Sequence, residues 1–320
     1  MKIRLVLAFA LFSLSSCRRQ SEVSCQTNGT IPVCGTSRGP IRVVTMNAAL
    51  APGINAMASA RTPVFAKDIA AYRDVDVLCL QEVWKDEAAR TIEDSLGLSA
   101  EHVYRVDTRG HNEVPGQATC LPTQINGVAK CVKKNCAGLA DEDQAICALH
   151  ECEISIGMMK NSLTGQECIN CLLATVGNSI EETARICTSD SGASRIYGGQ
   201  NDVLLASKWP LLNREAIELP GSAANRVALF ATIMLPSRGP VEVVCTHLTS
   251  GTDKAPPTDP RFKTWDEERD AQIRIIIQAM KSRSMNRPAL LVHRTHGRER
   301  RYQPRHRVRR PPSTRVRRSG

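Results

Sequence analysis

No apolar stretch in these 320 residues approaches the roughly 18 residues that a membrane-crossing helix needs, so the processed chain is expected not to span a bilayer. Most of the chain also lacks net charge. The formal charge is +10, yet residues 293–320 hold eleven Arg and one Glu, and residues 1–292 hold 31 basic and 31 acidic side chains. That balance excludes a globally basic nucleic-acid binder; the basicity belongs to a tail. No internal repeat is present. No second Cys-x-x-Cys accompanies Cys168 and Cys171, which argues against a zinc site there. What is there is 42% hydrophobic, enough for one ordinary globular core and too apolar for a disordered chain.

The N-terminus reads as an export signal over residues 1–17. Lys2 and Arg4 precede the ten-residue stretch Leu5–Leu14, which is too short for a mature membrane helix. It ends in Leu14-Ser15-Ser16-Cys17, similar to a bacterial lipobox, in which the cysteine is lipidated. The expectation is a cell-envelope lipoprotein held to the membrane through Cys17; the alternative is a plain cleaved secretory signal. Residues 18–40 form a Gly/Ser/Thr/Asn-rich lead in which Cys25 and Cys34 can pair. Eight cysteines crowd between Cys120 and Cys187. An even count at that density in an exported chain predicts a disulfide-stapled insertion over about 118–190, its connectivity open. Half a zinc site or a redox pair at Cys168 and Cys171 is the lesser alternative. Cys79 and Cys245 lie inside apolar runs and are expected to be free, buried thiols.

Strand signals fall at Ile41–Met46, Val75–Leu80, Val203–Ser207, Val227–Leu235, Val241–Thr246 and from Ala289 to Val292. Helical spacing appears over Pro63–Tyr72, with Val64, Ile69 and Ala70 on one side, and over Asp86–Leu96. Thr264-Trp265-Asp266-Glu267 looks like a capping box opening a further helix, whose Ile273, Ile276, Ile277 and Met280 are expected to face the core. Three strands end on polar residues: Asn47 after Ile41–Met46, Glu82 after Val75–Leu80, and His247 after Val241–Thr246. If those strands are neighbours, the three side chains converge. An Asn carbonyl and a Glu carboxylate are hard oxygen ligands suited to Mg²⁺, Mn²⁺ or Ca²⁺. An imidazole beside them can hydrogen-bond or protonate a phosphate oxygen.

In order along the chain, Thr45-Met46-Asn47, Leu80-Gln81-Glu82-Val83, the run from Asp202 to Pro210 and Thr246-His247-Leu248 resemble the endonuclease/exonuclease/phosphatase superfamily, of deoxyribonuclease I type. Leu80-Gln81-Glu82-Val83 is the most diagnostic part. The resemblance covers about 41–292 and implies an α+β fold, a four-layer α/β sandwich of two packed, mostly antiparallel sheets flanked by helices. It implies divalent-metal phosphoester hydrolysis by an activated water, with nucleic acid or a phospholipid headgroup as substrate. Glu82 would be the metal carboxylate, Asn47 its neighbour toward metal or phosphate, His247 a phosphate contact or proton donor, and Arg226 a phosphate ligand.

The chain departs from the family after the strand at 289–292. The family has Gly-Asp-x-Asn there and a later Ser-Asp-His; here His293-Arg294-Thr295-His296-Gly297 follows, and no Asp occurs downstream. The tail has eleven Arg and no Lys, whereas residues 1–292 have twenty Arg and eleven Lys. The expectation is a reading frame lost near residue 293, with the last strands missing and 293–320 a disordered, out-of-frame tail. The rival is a genuine Arg-rich tail for a polyanion. A non-catalytic lipoprotein, with the stapled insertion or the tail as its binding module, stands as the alternative to a hydrolase.

Overall fold

The computed structural model describes residues 41–293, apart from 73–74, 112–117, 140, 160–162, 176–177, 190–194, 237, 251–256, 258 and 284–288. The expectations for Cys17, Cys25, Cys34 and the tail lie outside the described residues. In chain order the elements are β1 (Val43–Leu50), α1 (Ala58–Ala71), β2 (Val77–Val83), α2 (Asp86–Leu96) and β3 (Val103–Tyr104), followed by five helices. These are α3 (Pro122–Asn135), α4 (Asp141–Glu151), α5 (Glu153–Met159), α6 (Leu163–Ala174) and α7 (Ile180–Cys187). Then come β4 (Leu204–Ser207), β5 (Leu212–Leu219), β6 (Arg226–Leu235), β7 (Gly239–Thr246), α8 (Trp265–Arg283) and β8 (Ala289–His293).

Two four-stranded sheets result, in the orders β1-β2-β4-β3 and β5-β6-β7-β8. β1 with β2 and β7 with β8 run parallel; every other pair is antiparallel. The period of two along each strand explains the layers. In β2, Val77 and Cys79 meet Val227, Leu229, Val243 and Cys245 between the sheets. Leu78 and Leu80, on its other face, pack on Ala66 and Ile69 of α1 and Ala89 and Ile92 of α2. On the far side, Ala228, Phe230 and Val244 pack against Ile276 of α8. Helices, sheet, sheet and helix thus form four layers, the α+β sandwich expected, and β2 and β6 read as continuous apolar runs because both of their faces are covered. No helix among the described residues is long and apolar enough to cross a membrane.

Three local expectations need correction. Cys79 and Cys245 are not free thiols: they form a disulfide that ties the two sheets, with Cα atoms 5.5 Å apart. Both occupy inward positions of central strands, which brings them face to face. In α1 the inward face is Ala58, Thr62, Ala66 and Ile69, and Val64 is exposed. In α8, Ile277 is 43% exposed, and the buried row is instead Glu268, Gln272 and Ile276. The two polar members are satisfied. The Glu268 carboxylate accepts from Thr249 Oγ1 at 2.6 Å and from the Ser222 N–H and hydroxyl, and Gln272 Oε1 accepts from the Thr249 N–H at 2.9 Å. Thr264 Oγ1 does cap α8, accepting from the Glu267 N–H at 3.2 Å, while Glu267 reaches back to the Lys263 N–H at 2.6 Å.

The cysteines between α3 and α7 pair among themselves as Cys120–Cys168, Cys131–Cys152, Cys136–Cys147 and Cys171–Cys187. Cys168 and Cys171 therefore go to different partners, as neither a redox pair nor half a zinc site. The bridges lie with Ile125, Val128, Val132, Ile156 and Ile169 in a core separate from that of the sandwich.

Candidate active site

Because β1 and β2 are parallel and register-matched, Asn47 opposite Gln81, their C-terminal ends deliver Asn47 and Glu82 to one edge. The Glu82 carboxylate accepts from Asn47 Nδ2 at 2.6 Å and from Asn55 Nδ2 at 3.1 Å. Asn47 Oδ1 is itself occupied, accepting from the Ala49 N–H at 2.8 Å, so the amide is held with its N–H toward Glu82. Asn47 thus orients the carboxylate. Glu82 also takes φ 58°, a left-handed backbone that costs a non-glycine residue on the order of 1–3 kcal/mol and persists only when its surroundings hold it.

What holds it is Asp202. The Glu82 N–H donates to Asp202 Oδ2 at 3.2 Å and the Val83 N–H to the Asp202 carbonyl at 3.0 Å. Asp202, fully buried two residues before β4, also binds the Arg226 guanidinium at 3.2 and 3.3 Å and His247 Nδ1. Burial pushes its carboxyl pKa up, but the charges of His247 and Arg226 and the hydrogen bonds from His247 and the Glu82 N–H outweigh that and hold it at about 2. Arg226 lies 2.9 Å from His247 Nδ1 as well. One nitrogen cannot both donate to Asp202 and accept from Arg226, and the ionised carboxylate is the stronger partner, so the proton belongs on Nδ1. The Arg226 guanidinium sits 5.8 Å from the centre of the Trp84 ring.

Glu82, Arg226 and His247 line one cleft of about 520 Å³, with Asn47 bound to Glu82 at its edge. The four candidate residues of the main body are thereby brought together, through a residue given no role by sequence reasoning. The signal for Asp202 was a carboxylate opening a wholly apolar strand; Asn55 had no signal at all. As a place for a divalent cation, the site offers one carboxylate with amide neighbours. Glu82 makes no ion pair among the described residues, and no group of three or more His, Cys, Asp or Glu that could hold a metal occurs among them. Mg²⁺ is commonly bound through one or two carboxylates with waters and substrate phosphates, and a cleft carboxylate without a counter-charge fits that pattern.

No family model matches the chain, and no curated protein matches it significantly. Solved structures do. Sphingomyelinase C from Streptomyces griseocarneus superposes over 79% of this chain and 62% of its own, at 14% identity and TM-score 0.42. An endonuclease/exonuclease/phosphatase from Beutenbergia cavernae DSM 12333 covers 78% and 46%, at 17% and 0.40. A β-hairpin deletion mutant of beta toxin from Staphylococcus aureus covers 79% and 66%, at 11% and 0.42. The chain spans less than two thirds of these structures' own length, and at these identities the likeness is one of fold alone.

Proposed function

We propose that this cleft is a phosphoester-hydrolase site built around a divalent cation at Glu82. The observation that carries the reading is the meeting, in one cleft, of a carboxylate lacking a counter-charge with the Arg226–Asp202–His247 cluster. A bound Mg²⁺, Mn²⁺ or Ca²⁺ would polarise the phosphoryl oxygen and lower the pKa of a bound water. Glu82 binds the cation, steadied by Asn47 and Asn55. Arg226 and His247 face a phosphate oxygen, Asp202 fixing the imidazole's orientation through Nδ1. Asp202 itself is a poor base: its carboxylate is held ionised and fully partnered. No carboxylate other than Glu82 lines the cleft among the described residues.

Export as a lipoprotein on Cys17, with processing after residue 16, belongs to the same proposal. The signal-like N-terminus supports it, as do five disulfides, which persist in oxidising compartments. The test is thermal unfolding with and without Mg²⁺, alongside hydrolysis of bis-p-nitrophenyl phosphate. At ten times its Kd, Mg²⁺ stabilises by about 1.4 kcal/mol, or roughly 3–5 °C in Tm for a domain of this size. Glu82→Gln should abolish that rise, whereas His247→Ala should keep it. Turnover is expected only once an in-frame sequence after codon 292 is restored, and Glu82→Gln should then lower it at least ~10²-fold. An Mg²⁺ shift unchanged in Glu82→Gln refutes the site. A shift without turnover in the restored chain supports the binding-module alternative.

A further inference from the structure

The cleft has two chemically different ends. Glu82, Arg226 and His247 form the polar one. The rest of the wall is more apolar than polar: Ile54, Trp84, Ile196 and Trp265 from the sandwich and Ile169 and Leu173 from α6 of the disulfide-stapled insertion, with Gln166, Asn170, Thr249 and Ser250 among them. α6 is brought there by packing on the turn Ile196–Gly199, which lies beside Trp84 through Tyr197, their rings 4.9 Å apart. Ile169 and Leu173 have a second role. They also edge an apolar cavity inside the insertion, lined by Val128, Val132, Ile156 and Leu172. The two spaces therefore meet at the same pair of side chains.

We propose that the stapled insertion is a specificity element that receives an aliphatic chain attached to the phosphate, so that the ligand of this site is a single-chain amphiphilic phosphoester. The proposal rests on the phosphoester reading of the polar end. A nucleotide or sugar phosphate would set hydroxyls and ring nitrogens against Ile54, Ile169 and Leu173, which return no hydrogen bond, while Gln166 is bonded to Asn170 and Thr249 to Glu268 and Gln272. A polynucleotide needs cations along a track. Arg226 is the one permanent cation lining the cleft among the described residues, and it is already paired with Asp202. An aliphatic chain removes the apolar wall from water, and its phosphate anchors it beside Arg226 and His247. Each methylene buried should then raise affinity about fourfold.

The test is calorimetric titration of the full chain, with Mg²⁺ present, using n-alkyl phosphates from ethyl to decyl below their micelle concentrations. Affinity is expected to climb about fourfold per methylene over at least three or four methylenes. Leu173→Ser and Ile54→Ser, made singly, should each weaken decyl phosphate about tenfold and leave ethyl phosphate unchanged. Ile54 lies on the sandwich, so it reports even if Leu173→Ser disturbs the insertion; non-reducing peptide mapping of the four bridges shows whether it does. If ethyl phosphate binds and chain length adds nothing, the amphiphile proposal falls while the phosphoester reading stands. Chain-length dependence untouched by both variants also overturns it, since the tail then binds elsewhere. So does a ten-nucleotide oligo-dT that displaces ethyl phosphate at lower concentration than decyl phosphate does. If no alkyl phosphate of any length binds, both readings fail.

Discussion

Asp202→Asn isolates the group on which the candidate site converges. The carboxylate is fully buried and receives Arg226, His247 Nδ1 and the Glu82 N–H. Its folded pKa is about 2, against about 3.9 in an unfolded chain. The sign follows directly. Between those values the unfolded state binds more protons, so stability rises with pH across the window. The contribution is present in full above about pH 4 and is lost as pH falls through about 2. A depression of that size corresponds to about 2–3 kcal/mol. The amide keeps the shape but leaves the Arg226 cation buried without its counter-charge, and breaking a buried pair typically costs about 3–5 kcal/mol. The two figures place the loss at pH 7 near 3 kcal/mol. Urea unfolding between pH 2 and 7 reads both quantities: the variant should lose about that much at pH 7, and the slope between pH 4 and 2 should fall by this carboxylate's share, the rest belonging to other carboxyls held low, Asp107 at about 2 among them. Arg226→Met added to Asp202→Asn should recover at least about 1 kcal/mol, since no unpaired cation then remains. A loss below about 1 kcal/mol at pH 7, or an acid slope unchanged in Asp202→Asn, would refute the claim that this carboxylate is the keystone.

Replacing both Cys79 and Cys245 by Ala should lower stability by about 5 kcal/mol in the chain-entropy picture, because the bridge closes a loop of 166 residues; denaturant unfolding checks it, and thiol titration of the wild type should find neither cysteine free. On α8, Ile276→Ala should cost about 2–5 kcal/mol and Ile277→Ala within about 0.5 kcal/mol, whereas an all-apolar inward face would make both costly.

The layers of this fold are written locally. Strands β2, β6 and β7 carry apolar residues at nearly every position, and a strand covered on both faces can be read without knowing what covers it. Asn47, Glu82 and His247 were legible for a related reason, each being the polar residue that ends such a run. Asp202 was not, because its role arises where strand ends of both sheets meet: its partners lie 120 residues before it and 24 and 45 after it. The misread faces of α8 have a similar origin. Glu268 and Gln272 break the apolar period, yet they turn inward because Ser222 and Thr249 present donors there. Those bonds brace the segment leaving β7, two residues past His247. The sheet-to-sheet disulfide was missed because Cys79 and Cys245 look alike whether paired or free; only the packing of two sheets sets them opposite one another.

The order of the second sheet also bears on the strand that ends the described residues. β8 runs parallel to β7 with His293 registered against Thr246, so the chain leaves β8 at the edge where His247 leaves β7. In a cleft whose one carboxylate binds a cation, a second carboxylate can orient water. The sequence supplies His293-Arg294-Thr295-His296-Gly297 instead, and its composition changes abruptly from mixed Arg and Lys to Arg alone. The change falls at His293, the last residue of the edge strand β8. Independent reads of the gene across codon 292 are expected to show a frame in which an Asp follows this strand. A single intact frame in all of them would leave the Arg-rich tail genuine, and the cleft would then be a binding site for phosphate rather than a place where it is cleaved.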